Sequence, residues 1–326
     1  GAALLYGSGY LASLGVVGAL AEPGTVVCCD ELSHAALLDG CALGGADTRV
    51  YAHGDVDHLA ALLDETAGRP AVVVTDSVFA TEGDVAPLEE LVDVAQRHGA
   101  RTVVDEAHAV GCLGPGGRGA VAEAGLEGEV DVVIGSLAKA LGSYGAYAAC
   151  DPTTARFLAN RSRTLLHSTA PPPPAVAGAL AALELLVEQP HRVERLQGNA
   201  AALRAELARA GFDTGGSTTQ IVPLVVGDAG LALRIRDHAL AGGVFAEALA
   251  PPIVATGTAR LRLSVMASHT KAELRDAAQA LGRAAQRAGF RPAPAAPAAP
   301  ARDEAPPAAA PRPFDGHADL EIAQAA

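Results

Sequence analysis

The strongest constraint on the fold is a set of short apolar runs that each close on polar residues. Residues 69–79 (RPAVVVTDSVF), 101–108 (RTVVDEAH) and 131–136 (DVVIGS) are valine-rich and lack alternating polar positions. Such runs read as strands buried on both faces. An earlier run, residues 25–29 (TVVCC), follows the break at Glu22-Pro23-Gly24, and residues 144–150 (YGAYAAC) offer one more strand. Between them, residues 86–100 (APLEELVDVAQRHGA) carry leucine and valine at helical spacing before a glycine. Strands alternating with helices predict an α/β fold built on a mainly parallel sheet. Ligands gather at the carboxyl ends of such strands. Asp76, Asp105 with His108, and Ser136 with Lys139 all fall at those ends.

The second half changes character. Residues 168–211 open on the proline run 171–174 and continue as two long helical patterns. Residues 217–287 alternate strand and helix again. We therefore expect a large domain over 1–174, a smaller C-terminal α/β domain over 175–287, and an Ala/Pro-rich disordered tail over 288–326.

Composition removes several functions. The net charge is −13 and no basic stripe exists, so nucleic acid is not an expected partner. No apolar run approaches the roughly 18 residues that span a bilayer, and no signal peptide is recognisable. The five cysteines are odd in number and form no CxxC pair, which predicts reduced thiols and a cytoplasmic protein. The ten histidines have no metal-ligand spacing, so no metal is expected.

Lys139 carries the chemical argument. Of the 24 lysines and arginines only Lys139 and Lys271 are lysine. Arginine would serve a surface charge, whereas Schiff-base chemistry needs a primary amine. A lysine and an aspartate on neighbouring strand ends are the two groups that pyridoxal 5'-phosphate needs most: a covalent anchor and a partner for the ring nitrogen. Ser136 is placed to address the phosphate. The loop YGSGY (residues 6–10) enters a helix and offers backbone N–H groups for it. His34 can lie on the ring, and His108 can reach its hydroxyl or a substrate carbonyl. No GxGxxG follows a first strand, which argues against an NAD-binding Rossmann reading.

With these parts in order, the chain resembles the α-oxoamine synthase family of pyridoxal-phosphate enzymes, with the fold-type-I architecture. The resemblance runs from residue 1 to about 287 through LLYGSGYLASLGVVGALA, DELSHAALLDG, TDSVFATEGDVAPLEEL, VVDEAHAVGCLGPGGRG, GSLAKALGSYGAY, HSTAPPP and PPIVATGTARLRLSVMASHT. Within the family, SVFATEGDVAPL, GSYGAY and PPIVATGTARLRL are most similar to the biotin-pathway branch.

The resemblance implies a reaction in which L-alanine and an acyl thioester, pimeloyl-CoA or its carrier-protein form, condense with loss of carbon dioxide. It implies Lys139 as cofactor anchor and base, Asp105 at the ring nitrogen, His108 near the ring hydroxyl and His34 over the ring. Gly9 and Tyr10 would border the cofactor, and Ser136 would bind its phosphate. Ser168 and Thr169 would reach the phosphate in the partner subunit of a homodimer. Arg262 would clamp the amino-acid carboxylate, with Arg260 the weaker candidate.

Ala80, Ser13, Gly54 and Ala250 depart from residues common in the family, and these departures bear on rate and acyl selectivity. Ala80 removes a polar contact near the cofactor. The family also carries a further segment ahead of the position matching Gly1, so a chain confined to these residues is expected to be poorly active and to expose apolar surface. Alternatives are a glycine-using or secondary-metabolism member of the same family, or an inactive homologue.

Overall fold

The computed structural model describes residues 1–291. The expectation of a disordered tail lies, from residue 292 onward, outside the described residues. Seven strands form the main sheet: β1 (Ala2–Tyr6), β2 (Val26–Asp30), β3 (Asp47–Tyr51), β4 (Ala71–Asp76), β5 (Arg101–Asp105), β6 (Val132–Ser136) and β7 (Ala146–Cys150). Their order is β1-β7-β6-β5-β4-β2-β3. Strands β2 to β6 are parallel, β7 is antiparallel to both neighbours, and β1 therefore runs with the other five. The reversal at β7 follows from chain length. Only residues 137–145 join β6 to β7, too few for a parallel crossover.

The alternation of side chains sends each strand into two cores. Val27, Cys29, Val72, Val74 and Val103 pack on one face, against α1 (Gly9–Leu20) and α2 (Ala35–Gly44). Val26, Cys28, Val73 and Val104 pack on the other, against α3 (Val56–Glu65) and α4 (Leu88–Arg97), with the short α5 (Ala120–Glu123). Valine runs make sense here because both faces are dry. Strands β1 and β3 escaped the sequence reading because they are edge strands that alternate exposed and covered positions.

Helices α6 (Pro152–Arg161) and α7 (Arg163–Leu166) follow β7. Helix α8 (Pro173–Glu188) begins within the proline run, and its Ala179 packs with Val110, Leu137 and Leu141. A separate core unites α9 (His191–Arg209), α10 (Ala229–Ala241) and α11 (Lys271–Ala288) with strands β8 (Ile221–Gly227), β9 (Glu247–Leu249) and β10 (Ala259–Ser264). These strands form an antiparallel sheet in the order β8-β10-β9. Leu261 and Leu263 of β10 join that core, while Arg260 and Arg262 occupy the intervening positions. Helix α11 starts at a capping box of Thr270 and Glu273 and ends at Gly289 in the left-handed region. The five cysteines are free. Among the described residues, no helix is long and apolar enough to cross a membrane.

Candidate active site

Three parallel strands end in a buried aspartate: Asp30 on β2, Asp76 on β4 and Asp105 on β5. Asp76 and Asp105 are register partners, so their carboxylates share one region of the sheet edge. Desolvation, followed by the charge of Asp105, pushes the Asp76 carboxyl well above the usual carboxylate range. Asp76 also accepts the His34 backbone N–H at 2.8 Å. Sequence reasoning placed Asp76 at the sheet edge with the other polar residues but gave it no chemical role. Its raised proton affinity depends on a neighbour in space.

Asp105 is held from two directions. Its Oδ1 accepts the Ala107 N–H at 2.8 Å, and its Oδ2 accepts the Ser13 hydroxyl at 2.8 Å. Ser13 sits on α1, one turn beyond the helix start. That start is built by Ser8, whose side chain accepts the Leu11 N–H at 3.2 Å. The N-terminus of a twelve-residue helix thus presents Gly9 and Tyr10. A Cβ built on Gly9 would meet no heavy atom within 4 Å, so open space fronts the loop. Tyr10 turns its hydroxyl to Asp39 Oδ2 at 2.5 Å, tying α1 to α2.

Lys139 follows β6 by three residues. Although the residue as a whole reaches solvent, crowding around its amine lowers its pKa by desolvation. The charges of Asp105 and Asp76 oppose that effect, and that of Arg262 adds to it. Ser136, on the last position of β6, is buried and accepts the Ala138 N–H at 3.2 Å.

His108 is pushed down to about 3, first by burial and then by the charges of Lys139, Arg262 and His34. It is therefore a neutral hydrogen-bonding group near pH 7. Its carbonyl accepts the Gln220 side-chain amide at 2.8 Å. His34 caps α2, and its Nδ1 accepts the Ala36 N–H at 3.2 Å, which leaves the proton on Nε2. Desolvation lowers its pKa, with Asp105 opposing and Lys139 reinforcing.

The charges of Asp105, Asp76, Lys139 and Arg262 thus converge where Lys139, His34 and His108 meet at the end of the main sheet. Arg262 donates to the Ala80 carbonyl at 3.3 Å and pairs with Glu247 across the small sheet. Arg260 differs. It is buried, pairs with Glu82 and donates to the Thr258 carbonyl at 3.0 Å, a structural role. Ser168 and Thr169 lie outside this cluster on an exposed segment, with Ser168 Oγ beside Gly7 of the loop before α1.

One cluster had no counterpart in the sequence reading. His53 bridges Asp30 at 3.0 Å and Asp84 at 2.8 Å, with Phe79 edge-on to its ring. The two carboxylates outweigh burial and push the imidazole up to about 10. Asp30 also accepts the Leu32 and Gly54 N–H groups. The cluster therefore locks the β2–α2 turn that carries His34. Beside Asp105, Glu106 is pushed up to about 7 by burial while it accepts from the N–H groups of Ala120 and Val121.

The donor set fits pyridoxal 5'-phosphate. A desolvated primary amine, a buried carboxylate on the adjacent strand, an open helix N-terminus and a hydroxyl at a strand end match its aldehyde, ring nitrogen and phosphate. Among the described residues, no group of His, Cys, Asp and Glu is arranged to hold a metal ion.

A model of the family "aminotransferase class I and II" matches residues 1–281. An 8-amino-7-oxononanoate synthase from Anaeromyxobacter dehalogenans (strain 2CP-C) is 46% identical over 273 residues, covering 84% of this chain and 69% of the relative. A serine palmitoyltransferase from S. paucimobilis with bound PLP-myriocin aldimine superposes with a TM-score of 0.85 at 33% identity, over 88% of this chain and 73% of that one. An 8-amino-7-oxononanoate synthase from Francisella tularensis superposes at 0.75 with 25% identity, over 88% and 83%.

Proposed function

The chain belongs to the aminotransferase class I and II family, and from that premise we propose that it is a pyridoxal-phosphate-dependent C-acyltransferase. In this reading it joins L-alanine to a pimeloyl thioester, on coenzyme A or a carrier protein, with loss of carbon dioxide. The product is 8-amino-7-oxononanoate, for biotin synthesis. The observation that carries the reading is Lys139 meeting Asp105 at adjacent strand ends, in a chain 46% identical to an enzyme of that name.

Bound there, pyridoxal phosphate supplies an aldehyde for attachment and a ring that withdraws negative charge from the amino acid's Cα. Lys139 provides the amine for that attachment. Its lowered proton affinity then suits it to take the Cα proton as a base. Asp105 keeps a proton on the ring nitrogen by opposing its charge. His34 covers the ring, and neutral His108 hydrogen-bonds without adding charge beside Lys139. The N–H groups of Gly9 and Tyr10, with Ser136, hold the phosphate. Arg262 grips the substrate carboxylate, which competes with Glu247 for the guanidinium. In the same reading the protein is a cytoplasmic homodimer, with Ser168 and Thr169 reaching the partner's phosphate.

The test is turnover. Purified chain with pyridoxal phosphate, L-alanine and pimeloyl-CoA should release free thiol and a product of the 8-amino-7-oxononanoate mass. Lys139→Ala should release neither. Thiol release with Lys139→Ala equal to that of the parent would sink the assignment. A second reading follows from the higher TM-score of the serine palmitoyltransferase. Serine with palmitoyl-CoA in the same assay decides between the two, and size-exclusion chromatography tests the dimer.

A further inference from the structure

We propose that Ser13 is a positioning residue for Asp105, coupling the ring-nitrogen carboxylate to the helix that holds the phosphate. The inference rests on the reading that this site takes pyridoxal phosphate. The geometry is specific. Ser13 is 1% exposed in the middle of α1, a place where a serine has no helix-forming advantage. Its hydroxyl lies 2.8 Å from Asp105 Oδ2 and 3.1 Å from the Gly9 carbonyl oxygen.

A hydroxyl has one proton and two acceptor sites, so it donates to only one of these oxygens at a time. The shorter, charge-assisted contact is to Asp105, because a carboxylate accepts and cannot donate. An alanine at position 13 would leave one carboxylate oxygen without this donor in a dry site.

The rest of the surroundings do not replace it. Oδ1 is already taken by Ala107. The other ionisable groups that face Asp105 are Asp76 on β4, His34 on α2, Lys139 after β6, Tyr147 on β7 and its neighbour Glu106. None of Asp76, Glu106 and Tyr147 is hydrogen-bonded to Oδ2, and each adds negative charge when it ionises. Lys139 carries charge of the opposite sign but is not the group hydrogen-bonded to Oδ2. Ser13 is then the neutral donor that holds Oδ2 and sets the angle at which Asp105 meets the ring nitrogen.

The experiment compares Ser13→Ala with Ser13→Thr, which keeps the hydroxyl. Each is titrated with pyridoxal phosphate without substrate, and the absorbance of the bound chromophore is followed against pH. The protein without added cofactor is melted in parallel. Ser13→Ala should bind the cofactor about tenfold or more weakly, the size of one lost hydrogen bond to a charged group. Its chromophore should titrate at lower pH, because a misplaced Asp105 stabilises the protonated ring less. Ser13→Thr should restore both. The inference is overturned if Ser13→Ala binds and titrates as the parent does. It is also overturned if both variants lose binding together with a lowered melting temperature, which marks packing alone. A parent chain that fails to take up pyridoxal phosphate at all overturns the cofactor reading itself.

Discussion

Replacing His53 by glutamine should remove a pH-dependent part of the protein's stability. The imidazole bridges Asp30 and Asp84, whose side chains are 1% and 27% exposed, and its pKa is pushed from 6.5 up to about 10. At about 1.4 kcal/mol for each tenfold change in proton affinity, that gain has a ceiling of about 5 kcal/mol. The ring itself is 23% exposed, and solvent screening reduces the expected effect to about 2–3 kcal/mol. The sign follows from linkage. A base whose affinity is raised on folding contributes fully below its unfolded pKa of about 6.5, and the contribution fades as pH climbs towards 10. Urea unfolding at pH 6 and pH 10 measures this directly. The parent should lose about 2–3 kcal/mol more than His53→Gln between the two pH values, because the variant has already lost the charge. The difference between the two proteins cancels the titrating groups that His53 does not touch. Equal pH dependence in both would refute the reasoning. Because Asp30 anchors the turn before His34, the variant should also bind pyridoxal phosphate more weakly at pH 7.

Other perturbations test separate parts of the site. Lys139→Ala should lower turnover by about a thousandfold or more and abolish the covalently bound chromophore, read by absorbance after borohydride treatment. Gly119→Ala should cost about 2–4 kcal/mol in urea unfolding, since a Cβ there would collide with Glu106 Oε2 on a backbone with φ of +107°. Arg262→Lys should raise the KM for the amino acid about tenfold with a smaller change in kcat, because a point charge replaces a two-pronged donor.

The parts of the fold that could be read in advance are those where one physical rule acts alone. The buried runs of β4, β5 and β6 are legible because a strand dry on both faces has little choice but valine and isoleucine. The edge strands β1 and β3 were not, since half their residues face outward and mimic loop composition. In the small sheet, Arg260 and Arg262 look alike in sequence. Only the presence of Glu82 opposite one of them, and of Ala80 and the Lys139 region opposite the other, separates a structural ion pair from the arginine proposed to clamp the substrate.

The sequence by itself determined which chemistry was possible. One of two lysines in an arginine-rich set of cations, an aspartate and a serine at strand ends, and a glycine loop entering a helix are residue types in order, and their meaning does not depend on distances. Tertiary structure decided how those groups behave. Burial, and then the charge of Asp105 beside it, raise the proton affinity of Asp76, and Ser13 reaches Asp105 because α1 packs on that face of the sheet. His53 gains its charge because two carboxylates from other segments converge on it. Proton affinity depends on desolvation and on charges a few ångströms away, and those neighbours come from segments far apart in the chain.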